Sequence, residues 1–151
     1  MGAATEQEGG FSAEERAAMK ERAAELKAEA KGGGRTAKKA AADEKACLEK
    51  IAKMDSPDRE LAERIHSVVL EAAPELAPKV WYGQPAYARD GKVLCFFRSG
   101  IGDKERYSTF GFSPEAGLDE AAGFWPTSFA VAGLDADGEK ALAALVKKAV
   151  G

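Results

Sequence analysis

The chain holds one histidine, two cysteines and no excess of positive charge. Each shortage removes a class of function. A structural zinc site needs three or four ligands, usually in close pairs, whereas Cys47 and Cys95 stand far apart with no CxxC. Lysine and arginine number 22 against 25 aspartate and glutamate, a net −3. The cationic footprint of a general nucleic-acid binder is therefore missing. No run of about 18 apolar residues occurs, which excludes a membrane-spanning helix. The first residues lack a basic stretch followed by an apolar one, so no secretory signal and a cytoplasmic location are expected. Phosphate loops are absent too, because Gly100-Ile101-Gly102 lacks the further glycine and the strand-to-helix setting. With no G-x-S-x-G, H-E-x-x-H or paired-carboxylate pattern, the chain is not expected to be an enzyme.

What is present divides near residue 42. Residues 1–42 contain 13 alanines but only four large apolar residues, Met1, Phe11, Met19 and Leu26. Residues 43–151 contain 11 of the 12 aromatics and carry a net −4. Burying one large side chain stabilises by roughly 1.5–3 kcal/mol, so only the second part can build a core. The first part is expected to be a helical arm with a glycine-rich linker. Ser12 and Glu15 form a capping-box pattern, and good helix formers follow to Lys31. Gly32-Gly33-Gly34 then supplies a flexible joint, and Arg35–Lys39 a short basic linker. This arm is either a solvated helix on a tether or a surface for a protein partner.

From Asp43, read as an N-cap, Cys47, Ile51 and Met54 recur on one helical face. Ser56 then reads as the next N-cap and Pro57 as a first helical position. That second helix runs to about Ala73 and buries Leu61, Ile65, Val68, Val69 and Ala72, with Leu70 nearly opposite. Pro85–Arg89, Asp90-Gly91 and Lys92–Arg98 form a hairpin signature, because Asp-Gly tolerates the positive φ of a tight turn. Strict alternation would put Val93, Cys95 and Phe97 on one face and Leu94 and Phe96 on the other. Further strands are expected at Arg106–Phe112 and Ser128–Val131, and a last helix from Asp135. The expected fold is α+β: an antiparallel sheet of four or five strands, two helices before it and one C-terminal helix packed on it, preceded by an exposed N-terminal helix.

Few residues invite chemistry. Cys47 and Cys95 read as small buried hydrophobes in a reducing compartment. His66 reads as an exposed helical residue beside Glu63. The acids Asp58, Glu60 and Glu63 are candidate ligands for a hard cation such as iron, or one solvated helix face. The dense constellation is aromatic: Trp81, Tyr82, Gln84 and Tyr87, with Phe124, Trp125 and Phe129 later. It is either core around a Gly/Pro-shaped turn or the lining of a small-ligand pocket.

The run Trp81-Tyr82-Gly83-Gln84-Pro85-Ala86-Tyr87, followed by a glycine turn and an aromatic strand, resembles the YdhG-like domain of unknown function. These are small intracellular bacterial proteins. The likeness extends over residues 43–151, including the late Trp125-Pro126-Thr127-Ser128-Phe129, and the family often carries Met where this chain has Gln84. It implies an antiparallel sheet with flanking helices. Some members are described as frataxin-like iron chaperones, which implies an acidic surface that holds iron loosely and hands it on. The expected function is thus a non-catalytic binding module. Iron handling is one reading; a small ligand on the aromatics, or a protein partner on the N-terminal helix, are the others.

Overall fold

The computed structural model describes residues 12–32 and 37–151, except the side chains of 24–32. Phe11 and the glycine joint at Gly33 and Gly34, with Arg35 of the linker, lie outside the described residues. The elements are α1 (Ala13–Gly32), α2 (Ala37–Ala52), α3 (Asp58–Ala72), β1 (Ala77–Trp81), β2 (Gln84–Arg89), β3 (Lys92–Arg98), β4 (Ser108–Phe112), β5 (Ser128–Val131) and α4 (Ala136–Val150). Five antiparallel strands form one open sheet in chain order, so the fold is α+β as the residues predict. No helix among the described residues is long and apolar enough to cross a membrane.

Local chemistry explains the starts of α1 and α4. In α1 the Ser12 hydroxyl accepts from the Glu15 amide at 3.0 Å, and the Glu15 carboxylate accepts from the Ser12 amide at 2.9 Å. Asp135 caps α4 by accepting from the Gly138 amide at 2.8 Å. Two expected caps are corrected. Asp43 sits inside α2, one turn after Lys39, whose ammonium lies 3.2 Å from it. The alanines and lysines from Ala37 are strong helix formers and start the helix earlier. The composition break at residue 42 therefore falls within α2, and Lys38 and Lys39 are helical rather than linker. At α3 no side chain caps the helix; Pro57 occupies the cap position, and the Ser56 hydroxyl donates instead to Glu60 at 2.9 Å.

The core lies on one face of the sheet. Cys47 and Ile51 of α2, Ala62, Ile65 and Val69 of α3, and Leu142, Val146 and Ala149 of α4 pack against Tyr87, Leu94, Cys95, Phe97, Phe110 and Phe112. Leu61, Val68 and Ala72 are only half-buried at its edge, and Leu70 joins them. The other face carries a smaller cluster of Ala86, Ala88 and Val93 under the rings of Trp81 and Phe96.

A bulge in β3 sets this division. Tyr87 pairs with Cys95 and Ala88 with Val93, so Leu94 has no partner across the ladder. Leu94 and Cys95 consequently both enter the helix-side core, while Val93 joins Phe96 on the opposite face. The expected alternation of Val93 with Cys95 and Phe97 is thus broken by one extra residue. On that second face Phe96 lies flat over its partner Gly111, where an added Cβ would come within 2.4 Å of the ring. Gly111→Ala is expected to destabilise by about 1–3 kcal/mol through overpacking. Denaturant unfolding of the single and double variants checks this. The Phe96→Ala, Gly111→Ala protein should lose less than the two single losses added together, and strict additivity would contradict the contact.

Candidate functional site

The aromatic run Trp81–Tyr87 is a hairpin. Trp81 pairs with Gln84, leaving Tyr82 and Gly83 as a two-residue turn with φ of 54° and 73°. Both values suit a primed turn, which glycine adopts freely and tyrosine does not. The N-terminal helix covers this turn. Arg22 lies 5.4 Å from the centroid of the Tyr82 ring, and Lys50 of α2 reaches Glu21 at 3.2 Å. The candidate ligand residues are not brought together. Trp81 meets Phe96 at a tilt on the open face of the sheet, Tyr87 is fully buried among the helices, and Trp125 packs against that helix-side core. Tyr82 is exposed. The Gln84 amide nitrogen donates to the Trp81 carbonyl at 3.4 Å, and its oxygen is buried without a partner. Phe124, 86% exposed, stands clear of the core, and Phe129 meets Phe112 edge-on.

The candidate metal ligands are dispersed too. Glu60 accepts from Ser56 and pairs with Arg59 at 3.2 Å, and its carboxyl is held below the usual range by backbone and Ser56 hydrogen bonds. Glu63 is exposed. Asp58 is 6% exposed and turned to a loop. Among the described residues no three His, Cys, Asp or Glu side chains converge as a metal-binding group.

Asp58 instead organises a cleft. One of its carboxylate oxygens accepts from the Ser99 hydroxyl at 2.5 Å and from the Ile101 amide at 2.9 Å. The Ser99 hydroxyl in turn accepts from the Gly102 amide at 3.2 Å. Ser108, buried at the start of β4, accepts from the Gly100 amide at 2.9 Å. Gly100 is required there, because a Cβ would meet the Tyr107 carbonyl oxygen at 2.4 Å. The loop closes on itself through the Glu105 amide, which donates to the Gly100 carbonyl at 2.7 Å, and through the Arg98–Asp103 ion pair.

Between this loop, the start of α3 and the β5–α4 connection lies a cleft of about 440 Å³. Leu61, Ile101, Val131 and Leu134 give it apolar walls; Arg64, Arg106 and Tyr107 give it polar ones. Sequence reasoning misses this site. Its parts come from three separated segments, and the Ser99–Asp103 stretch reads as an ordinary loop. Asp58 and Glu60 stand out in the sequence only as candidate ligands for a hard cation.

His66 is corrected as well. It is half-buried, and its Nδ1 shares a 2.9 Å hydrogen bond with the Tyr87 hydroxyl. Burial lowers its pKa, with Glu44 opposing more weakly. The thiols beside Tyr87 are held protonated: burial pushes Cys47 up to about 11 and Cys95 up to about 12. Both cysteines are buried, as expected.

No protein-family model, curated protein or solved structure matches the chain.

The His66 environment has a measurable sign. Its folded pKa lies below the ordinary 6.5, so the unfolded chain takes up the proton first on acidification. Stability is expected to fall as pH drops from about 7 to about 5.5, before most carboxylates titrate. His66→Gln should flatten this part of the profile, since the chain has no other histidine. Denaturation midpoints across that range check it, and equal slopes in the two proteins would contradict it.

Proposed function

We propose that the chain is a non-catalytic binding module whose ligand is a small molecule seated in the Asp58–Ser108 cleft. One observation carries this reading. The cleft has the volume of ordinary small-molecule sites and joins apolar walls to a few polar groups. Its buried polar floor is engaged in architecture: Asp58 and Ser108 hold the β3–β4 loop. Such engagement suits a preformed binding wall better than a reacting group. The α+β order and the Trp81–Tyr87 run also support membership of the YdhG-like family. Frataxin-like iron handling draws support from the acidic balance of residues 43–151 and from that resemblance, while Asp58 and Glu60 already serve other partners. The aromatic-cluster reading has its rings on different faces of the sheet.

Fragment screening by amide chemical shifts tests the proposal. Bound fragments should move the amides of Ile101–Ser108 and Val131–Leu134, and leave those of Trp81–Gln84 in place. Ala132→Trp, which places an indole in the cleft, should abolish these shifts while the far-ultraviolet spectrum is retained. Hits that map to the Trp81–Tyr87 hairpin would favour the aromatic reading instead.

A further inference from the structure

We infer that the cleft selects a small organic anion, a carboxylate carried on an apolar body; this rests on the cleft being the binding site. Five ionisable side chains of formal charge line it: Asp58, Glu60, Glu105, Arg64 and Arg106. Their formal sum is negative, but their commitments differ. One oxygen of Asp58 is engaged by the loop, and one of Glu60 by Ser56 and Arg59. Glu105 lies 3.8 Å from Arg98. Arg64 is held by Glu139 at 2.6 Å.

Of the five, Asp58 and Arg106 make no ion pair among the described residues, and Asp58 is engaged by neutral donors of the loop. The Arg106 guanidinium rests 5.0 Å from the centroid of the Tyr107 ring. Such a cation–π contact restrains the group without using its N–H donors. A carboxylate matches that planar fork in two parallel hydrogen bonds. The adjoining walls from Leu61, Ile101 and Val131 are apolar, and they reward a ligand with a hydrocarbon or aromatic body over a bare ion. Glu105, next in the chain and exposed, and the buried Asp58 carboxylate are the neighbouring charges that oppose an anion.

Titration of the full chain with benzoate, benzylamine and acetate, followed by amide shifts, tests the inference. Benzoate is expected to shift Ile101–Ser108, and acetate and benzylamine to bind at least about tenfold more weakly. Arg106→Gln should weaken benzoate by about tenfold or more, the loss of one charge-assisted contact. Glu105→Gln should tighten it, and added salt should weaken it in the parent protein. Thermal midpoints of the two variants report whether they remain folded. Arg106→Lys supplies a second test, since a retained charge without the fork should recover only part of the affinity. Benzylamine binding as tightly as benzoate in the cleft would overturn the anion preference and leave the binding site standing. If no benzoate shift appears while neutral fragments still bind there, the inference fails alone. If no probe of any charge moves the cleft amides, both fail.

Discussion

The carboxylate of Asp58 joins two parts of the chain more than forty residues apart. It sits in the first turn of α3, yet its hydrogen bonds run to the loop that links β3 to β4. Both bonds are charge-assisted and part-buried, so each outweighs an ordinary surface contact. Ser99 relays the attachment to Gly102, and Ser108 fastens the same loop from the strand side. The cleft wall is therefore built from the helix outward. Without that anchor, residues 99–107 would keep the Ser108 hydrogen bond, their own turn hydrogen bonds and the exposed pairs of Arg98 with Asp103 and Glu105, and exposed pairs contribute little.

The sheet behind the cleft is arranged by a different constraint. All three helices that pack on it use one face, so that face must supply nearly all the large side chains of the core. The bulge at Leu94 lets two successive residues of β3 do so. The opposite face keeps only small residues under Trp81 and Phe96, and Gly111 gives the Phe96 ring room to lie flat. The conspicuous Trp81–Tyr87 run is then explained as strand, turn and strand. Tyr87 serves the core, Trp81 shields the second face, and the exposed Tyr82 meets Arg22 of the N-terminal helix.

Legibility in the sequence followed the range of the interaction. The Ser12 capping box, the Asp135 cap and the Asp90-Gly91 turn were readable, because each is decided within a few residues. Antiparallel pairing of the strands at 85–89, 92–98 and 106–112 followed from short connections between apolar runs, whereas β1 was not singled out as a strand. The start of α2 was misplaced because Asp43 resembles a cap, while the preceding Ala and Lys residues outweigh it. The bulge was invisible because its signature is a pairing, not a pattern; Leu94 looks like any alternating strand residue. His66 seemed exposed from its place on α3, and only the tertiary position of Tyr87 buries it. The cleft was least legible. Its walls meet only when α3, the β3–β4 loop and the β5–α4 connection are assembled, and no local motif announces them.

Native-state hydrogen exchange at the Ile101 amide, compared in the parent protein and Asp58→Ala, measures the anchor directly. Loss of a buried charge-assisted acceptor is expected to weaken protection at Ile101 by about tenfold or more, relative to Val146 in α4. Benzoate shifts in the cleft should disappear with it. Equal protection of Ile101 in the two proteins would show that the loop stands without Asp58, and would contradict the account of how the cleft is built.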